Sequence, residues 1–527
     1  MKTRVIVLRA ALGAAALWAL PAEAQLVDQN FTPNAAREGI VKGFNEQIGN
    51  GRGNANTPNT SLYIINRDPF RAVRRGRQLF QRKFTRQQGQ GPMVQDGRGD
   101  IVANPALGAG LGDSCATCHG RPRGSAGFGG DVVIKPDSRD APHLFGLGLK
   151  EMLADEMTTD LRNIRAQAIA AARSTRVPQT RTLTAKGVNF GTITARPDGS
   201  VDTSRVAGVN RDLRIRPFRT NGGTISMREF IVGAFAGEMG LQSDDPDMRA
   251  ASVFRQRVVT PAGMVLDGRI DAIEEPPIDP GEDADGDGIG TEIPVSIVDF
   301  MEVYFLNYFK PALGPQNATT ARGQQLLATV GCTSCHVPNF TINRDRRHAD
   351  VETVFDPARG NPFNRLFGTA SAFFTEVADV NGLPTRKVPN LGSFVVRNIY
   401  TDFKRHDLGP NFHELNYDGT FLKEFLTTPL WGVGTTAPYG HDGRSNTLDD
   451  VIRRHGGEAQ VARNNYVALS QNDQFAVQEF LRSLIIFAPD DTASNLQPAN
   501  PAAANFPQIG HGAFALTVLF NNPNELE

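Results

Sequence analysis

Two copies of one pentapeptide constrain this chain more than any other feature: Cys115-Ala116-Thr117-Cys118-His119 and Cys332-Thr333-Ser334-Cys335-His336. Each reads as a c-type haem attachment site. Two thiols three positions apart on one turn of chain can each add to a haem vinyl group, and the His that follows then lies under the iron as proximal ligand. Cys-x-x-Cys pairs also make zinc sites and disulfides. Here a His follows both pairs directly, the four cysteines of the chain are all used by them, and the pairs stand much farther apart than those of a zinc ribbon.

A length of 527 residues is long for one core, and two haem motifs suggest two cytochrome-like units. The net charge of -1 favours neither a nucleic-acid nor an anionic-membrane partner. With 53 Gly, 33 Pro and 32 Phe against 2 Trp, a loop-rich protein is expected whose apolar filling surrounds cofactors instead of one regular sheet. Lys2, Arg4 and Arg9, the apolar run Ala10 to Leu20 and Ala22-Glu23-Ala24 make residues 1–24 a secretory signal peptide. No later segment reaches about 18 uninterrupted apolar residues, so no membrane span is expected. Covalent haem attachment then fits a bacterial periplasm or secretion.

Residues 25–66, rich in Asn and Gly, read as an N-terminal extension on the surface. Phe70, Val73, Gly76, Leu79, Phe80 and Phe84 have helical spacing ahead of the first motif, and Ala321, Gly323, Leu326 and Leu327 repeat it ahead of the second. Arg75-Gly76-Arg77-Gln78-Leu79-Phe80 and Arg322-Gly323-Gln324-Gln325-Leu326-Leu327 look like one element used twice. A helix is expected from Lys150 to about Arg173, a β-hairpin insertion between Thr182 and Ile215 turning at Pro197-Asp198-Gly199, and another helix over Met227 to Met239. The helices Val295 to Phe309 and Gln474 to Phe487, each apolar on one face, would close the first and second units. The fold class is therefore mainly α: two cytochrome-c-like haem domains, 67–310 and 311–490, with long loops, a small β-hairpin insertion and a C-terminal tail over 491–527. Asp283, Asp285 and Asp287 alternate ahead of Gly288 like the first half of an EF-hand loop and would present carboxylates to calcium. The twelfth position of that loop is Pro294 instead of Glu, and a solvated acidic linker accounts for the pattern equally simply.

What a c-haem does depends on its sixth position: two strong ligands favour electron transfer, and an open position permits peroxide or dioxygen chemistry. Besides the two proximal His, the candidates are His143, His348, His406, His413, His441, His455 and His511. Ala437-Pro438-Tyr439-Gly440-His441-Asp442-Gly443-Arg444, then Thr447-Leu448-Asp449-Asp450-Val451-Ile452 and His455-Gly456-Gly457-Glu458-Ala459, resembles the C-terminal haem segment of the bacterial di-haem cytochrome c peroxidase superfamily, above all its di-haem oxidoreductase branch. The resemblance runs in motif order from about Phe70 to Phe487. It implies that His455 is the distal ligand of the second haem, which with His336 becomes bis-His, low-spin and low in potential. It also implies a distal-pocket acid at the first haem, because Glu238-Met239-Gly240 matches a superfamily motif. The loop His that ligates the first haem in the peroxidases lies before an Arg-x-Ala-Pro stretch, here Arg139-Asp140-Ala141-Pro142, and Gly120 to Pro142 contains neither His nor Met. The first haem is therefore expected to be open or water-bound, with His143 as the alternative ligand. The superfamily Trp between the haems has no counterpart in the first half, where Trp431 of the second half is the single Trp after the signal peptide.

These readings add up to an exported di-haem oxidoreductase, an enzyme of peroxidase type with two covalently bound c-type haems. Electrons from a small redox protein or other donor would reach the first haem through the second, and Glu238 would serve as catalytic acid and base toward peroxide. Three other readings compete. The di-haem rubber oxygenases of the same superfamily bind dioxygen at an open N-terminal haem, and an acid such as Glu238 beside dioxygen argues against that chemistry. A plain electron-transfer cytochrome requires a side chain that closes the first iron. Oxidation of a protein side chain, as in the methylamine dehydrogenase maturation enzyme, goes with a Tyr ligand where this chain has His455.

Overall fold

The computed structural model describes residues 44–91, 112–120, 126, 140–283, 286, 288–308, 310–355, 366–379, 382–416 and 418–486. Residues 1–24, read as a signal peptide, residues 92–111, Arg139, Asp285, Asp287 and residues 491–527, read as a C-terminal tail, lie outside them.

The helix ahead of the first motif spans Pro69–Gln81 and the one ahead of the second Ala318–Thr329. Each starts where the sequence supplies a cap. The Asp68 side chain accepts from Arg71 N with Pro69 in the first turn, and Asn317 and Thr320 form a reciprocal capping box. The Pro69–Gln81 helix packs against Val295–Leu306, and Ala318–Thr329 against Gln471–Arg482. Both crossings are close because a glycine sits at each. A Cβ at Gly76 would run into the Phe300 carbonyl oxygen, and one at Gly323 into that of Ala476. The repeated element is thus a repeated helix pair.

Val295–Leu306 differs from the expected one-faced helix. It is buried from Ser296 to Leu306, polar residues included. Asp299 and Glu302, one turn apart, meet the buried Arg228 at 3.1 and 3.0 Å, while Asp245 Oδ2 lies 2.6 Å from the same guanidinium. Ser61 donates to Asp299 at 2.6 Å and Thr260 to Glu302 at 2.6 Å, so this polar stripe ties four chain segments to one helix. Burying so many acidic groups around one guanidinium is tolerable because each has a cationic or hydroxyl partner. The Ser61–Arg67 helix also enters this core through Ile64 and Ile65, so the structured body starts inside the stretch read as a surface extension.

The longest helix runs Leu147–Thr175. The expected hairpin beyond it is a three-stranded antiparallel sheet, Gln179–Ala185, Val188–Ala195 and Val201–Val206, with Pro197-Asp198-Gly199 between its last two strands. After the second motif the chain forms small two-stranded sheets that the sequence did not announce. Phe340–Ile342 pairs with Phe394–Val396, and Arg405–Asp407 with Glu424–Leu426. No helix among the described residues is long and apolar enough to cross a membrane.

Candidate functional site

Three histidines singled out from the sequence share one hydrogen-bond geometry. His119 Nδ1 lies 2.7 Å from the Pro142 carbonyl oxygen, His336 Nδ1 3.0 Å from that of Tyr400, and His455 Nδ1 2.7 Å from that of Val451. A carbonyl only accepts, so in each ring Nδ1 carries the proton and Nε2 the lone pair, which is the tautomer a metal takes. For His455 the cause is local. It is the C-cap of the Leu448–Arg454 helix, and its ring N–H satisfies a last-turn carbonyl that the helix leaves orphaned. For His336 the cause is tertiary: Asn398, Tyr400 and Phe403 all hold positive φ, and this contorted backbone delivers the Tyr400 carbonyl.

His336 and His455 lie close enough for a proton on one to disfavour a proton on the other. Burial lowers the basicity of both, that of His455 to about 4, so both rings are neutral and able to ligate at neutral pH. Phe412 stands edge-on to His455 at 5.2 Å, with the Arg454 guanidinium over its ring at 4.1 Å. Arg454 Nη2 in turn donates to both Asp442 carboxylate oxygens, at 2.7 and 2.8 Å, joining the Pro438-Tyr439-Gly440-His441-Asp442-Gly443 stretch to the His455 helix. His441 itself stacks on Phe425, ring centroids 3.9 Å apart.

The cysteines suit a neutral sulfur. Burial, aided by Cys118, pushes Cys115 up to about 12; burial, aided by Glu238, pushes Cys118 to about 11; burial with Cys335 takes Cys332 to about 11. All four are unpaired. A haem takes both thiols of a pair as uncharged thioethers, which buried surroundings accommodate. The sulfurs and the oriented imidazoles together fit covalently held haem.

Glu238 sits on a single π-type turn, Phe235–Met239, close enough to Cys118 for its charge to act on that thiol. Gly240 ends the turn at φ +65, and a Cβ there would strike the Gly91 carbonyl oxygen, which explains the glycine of the Glu-Met-Gly triplet. His143, the alternative ligand of the first iron, has both ring nitrogens engaged: Nε2 donates to the Trp431 carbonyl oxygen at 2.7 Å and Nδ1 accepts from Phe145 N at 3.2 Å. Trp431 is buried, 4% exposed, against Gly146 of the first half. Asp283 accepts from Gly286 N and Gly288 N of its own loop, at 2.8 and 2.9 Å.

One group escaped the sequence reading. His406, buried, lies between Asp402 Oδ2, 2.9 Å from Nε2, and Glu458 Oε2, 2.8 Å from Nδ1. Burial opposes its charge, but the hydrogen bonds to Asp402 and Cys335 and the two carboxylates raise it to about 11, so it is an imidazolium. Nothing in the residues around His406 forms a motif; only a lone His was visible.

Residues 370–484 match the di-haem oxidoreductase family. The description of that family is "Di-haem oxidoreductase, putative peroxidase". The matched span holds Tyr400, His406, the Pro438 to Gly443 stretch, His455 and Glu458. No curated protein matches the chain. A solved structure described as "Crystal structure of a MauG-like protein associated with microbial copper homeostasis" aligns with 67% of this chain and 92% of its own at 13% identity and a TM-score of 0.22, a likeness too distant to carry an argument.

Proposed function

We propose that the chain is an exported di-haem c-type enzyme of peroxidase type, with cytochrome-c-like units over 67–310 and 311–490. The observation that carries this is the asymmetry between the two sites. At the second, two neutral rings with matching tautomers, His336 and His455, stand together; at the first, His119 has that geometry, His143 is committed to backbone, and a carboxylate, Glu238, is the neighbour instead. The di-haem oxidoreductase match supports the same reading.

Cys115 and Cys118 would hold one haem with His119 as its ligand, and Cys332 and Cys335 the other between His336 and His455. Bound there, the haems supply one-electron storage and an iron that accepts peroxide. Reduction of one H2O2 to two waters takes two electrons and two protons. The electrons come from an external donor such as a small redox protein. Glu238 would take a proton from one peroxide oxygen and return it to the departing one. His336 and His455, both neutral, would hold the second haem and leave no room there for peroxide.

The test is the optical and EPR spectrum of the oxidised holoprotein before and after one equivalent of hydrogen peroxide. The expected result is one high-spin and one low-spin haem, with the high-spin signal consumed. Two low-spin haems indifferent to peroxide, with or without prior half-reduction, would overturn the reading and leave an electron carrier.

A further inference from the structure

His406 touches both segments that hold the axial rings of the second site. Asp402, on its Nε2 side, lies two residues beyond Tyr400, whose carbonyl orients His336. Glu458, on its Nδ1 side, lies three residues beyond His455. Around the imidazole two further bonds join residues 407–408 to residues 456–458, and one joins Thr401 to the chain just after His336. Asp407 N donates to Glu458 Oε1 at 3.0 Å, Gly456 N to the Leu408 carbonyl at 2.9 Å, and Thr401 N to the Val337 carbonyl at 3.1 Å. Donor atoms of Cys335, Asp402 and His406 come within 4.8 Å of one another, a spacing that a metal ion would accept. Both His406 nitrogens are already bonded to carboxylates, however, and a thioether at Cys335 removes the thiolate, so the trio works as a hydrogen-bonded clamp.

We propose that His406 is a positioning residue for the second haem: by bridging Asp402 and Glu458 it sets the separation of the His336 anchor and the His455 segment, so that both rings can meet one iron. The inference rests on the bis-His reading of that site. Two charge-assisted hydrogen bonds from one rigid, buried ring resist the sliding of the two segments more than flexible side chains would. His406→Ala leaves Asp402, 1% exposed, without that partner, and its repulsion from Glu458 opens the clamp.

The experiment compares holoprotein of wild type, His406→Ala, His406→Gln and His455→Ala, with haem attachment verified by mass, through low-temperature EPR and a redox titration of the second haem. His406→Ala is expected to raise the high-spin to low-spin ratio of that haem at least tenfold and to shift its midpoint potential. His406→Gln, which keeps one of the two bonds, falls between. His348→Ala, a change at another buried His, whose backbone N–H donates to Asn307 and whose carbonyl accepts from Phe373 N, leaves the ratio as in wild type. If His406→Ala does not fold, Glu458→Ala, which removes the acceptor from the exposed end of the clamp, is judged by the same ratio. If His455→Ala abolishes the low-spin signal while His406→Ala keeps the wild-type ratio and potential, the inference alone falls. If His455→Ala leaves the low-spin signal intact, the bis-His reading falls and the inference with it.

Discussion

A histidine ligates iron only through a ring nitrogen that carries no proton, so the partner of the other nitrogen decides its usefulness. Pro142, Tyr400 and Val451 supply that partner to His119, His336 and His455, while at His143 backbone groups occupy both nitrogens. Glu238 adds the acid beside Cys118. Glu238→Gln is expected to slow peroxide turnover by about 10²–10⁴, the usual worth of a general acid–base group, without changing the spin state of either haem. A steady-state assay with a chemical reductant and parallel spectra checks this; unchanged turnover would remove Glu238 from the reaction. The Cys-x-x-Cys-His pairs were legible in the sequence because thioether chemistry fixes their spacing. His406 was not, since its meaning comes from Asp402 and Glu458, the latter 52 positions away.

The two helix pairs show how far a local pattern reaches. The capped helices before each motif, and the helices that close them, were visible as apolar periodicity, and the glycine at each crossing was visible as part of a repeated hexapeptide. Its purpose was not, because only the partner helix shows that a Cβ has no room. Gly76→Ala and Gly323→Ala are each expected to cost about 1–3 kcal/mol or more by forcing the helices apart, read as a fall in the thermal midpoint of the holoprotein. The same substitution at Gly281, where a Cβ meets nothing within 4 Å, is free of any such clash although its φ is +76, so any loss there reports backbone strain alone. The small sheets between residues 340 and 426 escaped the pattern because their strands are mostly two to four residues long, too short for an alternation to stand out.

Trp431 is one of the ties between the halves: its carbonyl holds His143, its ring lies on Gly146, and its indole N–H donates to the Arg397 carbonyl at 3.3 Å. Trp431→Ala should cost about 3–5 kcal/mol and loosen the junction, seen as a lower unfolding midpoint and faster proteolysis between the halves. Stability should also depend on pH through the Arg228 cluster. Burial first, then repulsion from Glu151 and Asp299, outweighs the attraction of Arg228 and lifts Glu302 from 4.5 to about 8. A carboxyl with a raised folded-state pKa binds its proton more tightly in the native protein, so its contribution is full below the unfolded value and is lost as pH rises toward 8. Glu302→Gln, whose amide can accept from Arg228 and donate to Thr260, should therefore gain stability relative to wild type steadily from about pH 5 to pH 8. Denaturant midpoints at several pH values measure this, and a difference independent of pH would show that Glu302 stays charged.

By itself the sequence determined the capped helices and the candidacy of the two Cys-x-x-Cys-His pairs as haem anchors, of Glu238 and of His455. Each follows from chemistry or periodicity within a few consecutive residues. Tertiary structure alone decided which histidines keep a nitrogen for iron, what lies opposite each crossing glycine, how buried carboxylates share Arg228, and that His406 spans two segments. These depend on groups brought together from distant positions, and no local spacing encodes the distance between them.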